Sequence, residues 1–149
     1  MNIRAYKQND LADIFDIYRC SKLDELKFED EMFIFLPLEE DEVRLSRLME
    51  SQIYVYQEQG QILGFGAIYA HEIRALFVSP DHRGKGVGKQ LFEFLLSNIQ
   101  GQPCLWVAST NHPAKHLYQQ YGFSVTETCE TTYNQVAVIA QKMVRMTLA

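Results

Sequence analysis

Residues 82–89, His-Arg-Gly-Lys-Gly-Val-Gly-Lys, decide the fold of this chain. They follow an apolar run at residues 73–78 and precede a helical pattern that begins at Val87. The alternate glycines leave the backbone free of side chains, and glycine reaches positive φ without steric penalty. Successive amide N–H groups can therefore face one point, at the start of a helix whose first N–H groups lack internal partners and whose dipole favours anions. The stretch predicts a cradle for phosphate or pyrophosphate.

Two other phosphate-binding loops do not fit this spacing. A Walker loop, G-x-x-x-x-G-K-[ST], is one residue longer and needs a hydroxyl where Gln90 stands. A dinucleotide fingerprint, G-x-G-x-x-G, spaces its glycines differently and comes early in a βαβ unit. The remaining alternative is a loop that is rich in glycine only because the chain turns there.

Length and composition indicate an ordinary globular protein. The 149 residues, with 47% hydrophobic and 12% aromatic side chains, predict a single domain over 1–149. No apolar run approaches the ~18 residues of a membrane span, and the N-terminus lacks the apolar core of a signal peptide. We therefore expect a cytoplasmic protein without a membrane partner. Cys20, Cys104 and Cys129 lie far apart without a C-x-x-C pair, so neither a disulfide scaffold nor a metal site is indicated.

Charge is spread unevenly along the chain. Residues 24–42 contain nine acids and one base, Lys27, and carry −8, whereas the rest of the chain carries +3. The net charge of −5 argues against a nucleic-acid partner, because affinity there comes mainly from neutralising phosphates.

The apolar pattern predicts the element order β-α-α-β-β-β-α-β-α-β-β. Gly64 and Gly66, inside one predicted strand, indicate a bulge or a close backbone approach. Asn111 is a predicted helix cap, and Gly122 is predicted to end the same helix in a left-handed conformation. The order predicts an α/β fold, with one mixed sheet that carries helices on both faces. The predicted strands cover residues 2–7, 53–56, 62–70, 73–78, 104–108, 123–126 and 136–146, and the predicted helices begin near residues 10, 39, 87 and 111.

Two blocks of sequence resemble the GNAT acyltransferases. Val78-x-Pro80-x-x-Arg83-Gly84-x-Gly86-x-Gly88 is similar to the loop, [QR]-x-x-G-x-[GA], with which that superfamily holds the pyrophosphate of acetyl-CoA. Asn111-x-x-Ala114-x-x-x-Tyr118-x-x-x-Gly122-Phe123 is similar to its second cofactor segment. The predicted element order is also that of the GNAT fold, so the resemblance covers nearly the whole chain.

The resemblance implies an acetyl-CoA-dependent N-acetyltransferase in which a primary amine attacks directly within a ternary complex. It implies that the strands splay apart after residues 73–78 and admit the cofactor, whose pantetheine pairs with that strand. Asn111 would hydrogen-bond the pantetheine, Tyr118 would protonate the departing thiolate, and an N–H near Phe77 would polarise the thioester carbonyl. The implied cofactor-binding residues are Leu76, Phe77, Val78, Arg83, Gly84, Lys85, Gly86, Val87, Gly88, Lys89, Asn111 and Tyr118.

Several of these residues also have a purely structural interpretation. Tyr118 lies on an apolar helix face and could be a core residue, and Asn111 could be only a helix cap.

The identity of the general base is the least determined of these assignments, because the strand at 104–108 offers no glutamate. Glu72, beside His71, is a candidate base that accepts the amine proton through water, or else a solvent-facing charge at a strand end.

The acceptor is the part of the function that the sequence defines least. Carboxylates in residues 24–42 would attract a cation, and Tyr18, Phe28, Phe33 and Phe35 could supply apolar walls or cation–π faces. We therefore expect the acceptor to be a small cationic amine. The protein itself is expected to be either a monomer or a homodimer. The alternatives are a non-catalytic acyl-CoA-binding module and an acetyltransferase for a protein N-terminus or lysine.

Overall fold

The computed structural model describes residues 2–146 and contains one seven-stranded mixed sheet in the order β1-β2-β3-β4-β5-β7-β6. The element order is the predicted one. The strands are β1 (Ile3–Ala5), β2 (Gln52–Glu58), β3 (Gln61–Tyr69), β4 (Glu72–Val78), β5 (Cys104–Ala108), β6 (Phe123–Tyr133) and β7 (Val136–Arg145), and the helices are α1 (Leu11–Ser21), α2 (Glu42–Met49), α3 (Val87–Ser97) and α4 (His112–Gln120).

The helices lie on both faces of the sheet, as predicted. On one face α1 and α2 bury Ile14, Ile17 and Leu48 against strands β2 and β3. On the other face α3 and α4 pack over β3, β4, β5 and β7, with Phe92 and Leu95 at the centre. Strand β3 is covered on both sides, which explains why its interior is apolar at nearly every position.

Glycines in β3 let α3 approach the sheet closely. A Cβ added at Gly64 would lie 3.1 Å from Leu91 Cδ1 of α3, and one at Gly66 would lie 2.7 Å from Leu95 Cδ1. Both distances are shorter than van der Waals contact allows, so larger side chains would push α3 outward. The close approach predicted from these glycines is confirmed.

Strands β4 and β5 run parallel and separate after a short ladder. Their pairing consists of Glu72 with Cys104 and Ile73 with Leu105. On the other side of β4, Ala75 pairs with Ala67 and Ile73 with Ile68, so that Arg74 is an extra residue in a bulge. A bulge bends and twists its strand, and here it coincides with the point where β4 leaves β5. The predicted splay is confirmed, but it begins at Arg74, within residues 73–78 and not after them.

The last hairpin is longer and the second helix shorter than predicted. Strands β6 and β7 are each continuous and are joined by a turn in which Asn134 and Gln135 have positive φ. Most of β6 is exposed, so its polar residues give no apolar alternation from which to predict a strand. Helix α2 begins at Glu42 because Asp41 caps it, accepting a hydrogen bond from the Arg44 backbone N–H.

Candidate functional site

The separation of β4 from β5 opens a passage through the sheet. A cavity of about 250 Å³ lies in the gap, lined by Phe77 of β4 and Val107 of β5. Tyr118 of α4 lines it from one helix layer, and Arg44 of α2 lines it from the other. It adjoins a cleft of about 680 Å³ on the α1 and α2 face, since Phe77 lines both. We call this second space the larger cleft.

The glycine loop, which follows β4, presents unpaired backbone N–H groups. Gly84 and Gly86 have φ of +77° and +84°, and Gly86 is the N-cap residue of α3 without a side-chain cap. Within the described chain, the N–H groups of residues 84–86 donate no backbone hydrogen bond, and the first N–H groups of a helix have no partner within it. A Cβ at Gly84 would meet nothing within 4 Å, so this face of the loop is open. The loop therefore fits a phosphate or pyrophosphate group.

The other predicted loop residues differ in what their side chains can do. Lys85 and Lys89 are exposed on the loop, free to contact an anion. Val87 is 3% exposed and belongs to the core, so only its backbone can serve a ligand. Gly88 lies against Val78, since a Cβ there would come within 3.4 Å of Val78 Cγ2.

Arg83 and Val78 are engaged with the segment that follows α1. Arg83 Nη1 lies 2.6 Å from Asp24 Oδ2, and Arg83 Nε donates to the Val78 carbonyl oxygen at 3.3 Å. The same carbonyl accepts a hydrogen bond from the Ser21 hydroxyl. The structure thus shows Arg83 fixing the start of the loop, and its predicted contact with the cofactor stays a prediction. Leu76 and Phe77, by contrast, line the gap directly.

Tyr118, the predicted proton donor, lines the cavity in the gap. Its ring packs on Phe92 and Phe123, with centroids 5.4 and 6.2 Å away. Burial raises the pKa of Tyr118 to about 12, so the hydroxyl keeps its proton at neutral pH. Asn111 caps α4 by accepting a hydrogen bond from the Ala114 N–H at 3.4 Å. This capping bond uses the Asn111 side-chain oxygen, so the amide nitrogen is still available to a ligand.

Glu72, the predicted base, lies at the start of β4 and lines the larger cleft. Its carboxylate is 3.3 Å from Arg47 Nη2 and 3.5 Å from Arg74 Nε, the latter without hydrogen-bond geometry. Arg74 is held more firmly by Glu50, at 2.5 Å. A proton taken up by Glu72 would weaken its attraction to both arginines. Its role as base stays a prediction.

Most acids of residues 24–42 do not reach these cavities. Of the nine, Glu25 and Asp41 line them, and each pairs with a cation: Glu25 with Lys22 at 2.5 Å and Asp41 with Arg44 at 3.2 Å. The carboxylates of this segment were expected to border the acceptor cleft, but seven of the nine lie outside the lining of both cavities.

Sequence reasoning missed the cationic lining of the larger cleft. Lys22, Arg44, Arg47 and Arg74 all line it, and Arg44 also lies over the ring of Tyr133, 5.0 Å from its centroid. Only the tertiary fold brings α2, the β4 bulge and the last hairpin together. The local sequence contains no spacing from which this cluster could have been predicted.

Two further observations concern the described residues as a whole. Among the helices formed by residues 2–146, not one combines the length and apolarity that crossing a membrane requires. The same part of the chain holds no group of three or more His, Cys, Asp and Glu residues arranged to bind a metal ion.

Comparison with known proteins gives the family. A family model described as an acetyltransferase (GNAT) domain matches residues 49–125, which include the β4–β5 gap, the glycine loop and α4. The chain belongs to the GNAT acetyltransferase family.

Two curated relatives and one solved structure illustrate the likeness. Escherichia coli peptidyl-lysine N-acetyltransferase YiaC is 34% identical over 57% of this chain. Peptidyl-lysine N-acetyltransferase YjaB of the same organism is 39% identical over 58% of it. In both cases the match spans only 58% of the relative's length. A phosphinothricin acetyltransferase from Sinorhizobium meliloti, solved in complex with acetyl-CoA, has a TM-score of 0.68 at 21% identity, with 97% of this chain and 88% of that one covered, and so shares the fold.

Proposed function

We propose that this chain is an N-acetyltransferase that moves an acetyl group from acetyl-CoA to a primary amine. The observation that carries the proposal is that the cavity in the β4–β5 gap and the larger cleft adjoin each other across β4, where Phe77 lines both. It would let two molecules meet from opposite faces of the sheet, one beside Tyr118 and the other beside Glu72. Such a meeting supports direct transfer within a ternary complex.

The residues around the gap fit acetyl-CoA as the acetyl donor. The open N–H groups of the glycine loop would hold the pyrophosphate, with Lys85 and Lys89 as nearby cations. The edge of β4 that has left β5 would pair with the pantetheine along Leu76 and Phe77. The acetyl-CoA complex of the structural neighbour supports the same choice of donor.

The chemistry divides between proton transfer and charge stabilisation. When bound, acetyl-CoA supplies an acetyl group activated as a thioester. A backbone N–H near Phe77 would stabilise the negative charge that develops on the carbonyl oxygen. Tyr118 would donate its proton to the thiolate, and Glu72 would take the proton from the amine, directly or through water.

A lysine ε-amino group in a protein is the alternative to a small amine as the acceptor. It is favoured by the names of the two relatives, both peptidyl-lysine N-acetyltransferases. A lysine side chain is also a cationic primary amine, the class expected from the sequence. The lining of the two cavities argues against that cationic preference, however, because Glu25 in the gap and Asp41 in the larger cleft are already paired.

Thiol release from acetyl-CoA, followed across a panel of amines and lysine peptides, tests the function. We expect release with at least one amine, an acetylated product by mass spectrometry, and initial-rate lines that intersect, as a ternary complex requires. Binding of acetyl-CoA without release for any acceptor would refute the enzyme and support a non-catalytic acyl-CoA-binding module.

A further inference from the structure

The hydroxyl of Tyr18 is a buried polar group to which the reaction above gives no role. Tyr18 lies on α1 and is 4% exposed, and its ring meets that of Phe77 edge-on with centroids 5.4 Å apart. The side chain lines the larger cleft, yet its Oη has no hydrogen-bond partner among residues 2–146. A buried hydroxyl without a partner costs free energy, so packing alone would favour phenylalanine here. A ligand in the cleft is the partner that would satisfy this group.

The charged groups near Tyr18 offer more donors than acceptors. Lys22 Nζ lies 5.9 Å from the centroid of the Tyr18 ring and binds Glu25. Arg44 binds Asp41 through Nη1 and donates from Nη2 to the Thr132 carbonyl oxygen. An ammonium group has three N–H donors and a guanidinium five, so each cation keeps unused donors after these bonds, whereas each carboxylate already binds a cation. Burial also raises the pKa of Tyr18, which keeps its hydroxyl a donor.

The carboxylate at the far end of the larger cleft is also paired. Arg47 binds Glu72, and Arg74 lies beside Glu72 but is bound by Glu50, which is outside the cavity lining and neutralises it. Across the two cavities, the lining contains three carboxylates and four cations, and each of the three carboxylates pairs with at least one of those cations. An anion that enters beside Tyr18 would find unused donors on Lys22 and Arg44, whereas an ammonium group would have to share a carboxylate that already binds a cation.

We propose that Tyr18, Lys22 and Arg44 bind a carboxylate that the acceptor carries close to its reactive amine, with Tyr18 Oη donating a hydrogen bond to it. This inference rests on the proposed function and narrows the acceptor class to amines that bear a carboxylate. The edge contact between Tyr18 and Phe77 places this carboxylate site beside the strand position expected to face the acetyl group. The carboxylate can belong to a free amino acid or to an acidic residue beside a lysine in a peptide.

Matched acceptor pairs test the inference and distinguish the two sources. One pair is L-leucine and L-leucinamide, and the other is a lysine peptide with glutamate or with glutamine next to the lysine. We expect the wild-type protein to prefer the carboxylate member of the pair it uses by roughly tenfold in kcat/KM. In Tyr18→Phe, kcat/KM for that member should fall by about fivefold or more, while that of its neutral partner and the KM for acetyl-CoA barely change.

Tyr56→Phe is the matched control, because Tyr56 is also 4% exposed but its hydroxyl accepts a hydrogen bond from Asn2. It should leave the acceptor preference unchanged. Tyr18→Phe should keep its thermal stability, because no protein hydrogen bond is lost. Equal losses for both members of a pair, or thiol release without any preference for a carboxylate, would overturn the inference and leave the proposed function standing. Absence of release with every acceptor would instead refute the proposed function.

Discussion

Replacing Gly86 by glutamate tests whether the glycine loop binds the pyrophosphate. Gly86 has φ of +84° at the N-cap of α3, and a Cβ there would lie 3.7 Å from Gln90 Nε2, an ordinary contact. The stability cost is therefore that of the left-handed backbone, about 1–2 kcal/mol for a residue with a Cβ. The new carboxylate would compete for the free N–H groups of the helix N-terminus and repel the phosphates. We expect affinity for acetyl-CoA to fall at least tenfold, or about 1.4 kcal/mol.

Two variants separate charge from backbone strain in this experiment. Gly86→Ala has the same strain without the carboxylate and should weaken affinity by less than about threefold, or ~0.65 kcal/mol. Gly60→Glu carries the carboxylate at a similar φ, +77°, in the β2–β3 turn, with nothing within 4 Å. It should lose comparable stability in urea denaturation and bind acetyl-CoA normally. Unchanged affinity of Gly86→Glu by titration calorimetry, or an equal loss in Gly60→Glu, would refute the assignment of the loop.

Three further predictions concern proton transfer and stability. Tyr118→Phe should lower kcat by about 10²-fold without changing acetyl-CoA affinity. Burial raises the pKa of Tyr118 to about 12, so the wild-type kcat, measured against pH, should show no fall due to this residue below about pH 10. Glu72→Gln should lower kcat by about 10²-fold. The control is Glu50→Gln, which also releases Arg74 but lies outside the cleft lining, and it should leave kcat unchanged. Equal kcat values in the two variants would rule out Glu72 as the base. Asp10→Asn should destabilise the fold by about 1.5–3 kcal/mol at pH 7, because Asp10 binds Arg4 at 2.8 and 2.9 Å. The hydrogen bond from Arg4 lowers the pKa of Asp10 below its ordinary 3.8, so this stability is present above that value and is lost as pH falls through the lowered one; unfolding curves from pH 2 to 7 should show this loss in the wild type and not in the variant.

The fold was predictable from local sequence wherever one physical cause dominated. Buried β3 is apolar throughout, and Gly122, predicted to end α4 in a left-handed conformation, has φ of +89°. Strand β6 was only partly predicted because it is an exposed edge strand, held by pairing with β7 along its length. Pairing between strands far from the core does not require apolar residues, so no hydrophobic pattern marks it.

The candidate site was predictable on the cofactor side and much less so on the acceptor side. Backbone conformation defines the glycine loop, and local sequence encodes backbone conformation through glycine. The larger cleft is defined by long side chains, such as Arg44 and Arg74, that meet from separate elements. The Arg74 position depends on a bulge in β4 that appears only in the register with β3. Reasoning from charge density in one segment could not anticipate that cluster.

Two of the acids that follow α1 act as structural ties to other loops. Asp24 binds Arg83 at the start of the glycine loop, and the Glu29 carboxylate accepts a hydrogen bond from Thr110, next to the start of α4. The same segment reaches the last hairpin, where Asn134 donates to the Ile34 carbonyl oxygen at 2.9 Å. One irregular stretch thus contacts the glycine loop, the loop before α4 and the β6–β7 turn. Because two of its carboxylates are used in these contacts and most of the others lie outside the cavity lining, the net charge of this segment does not define the charge of the acceptor.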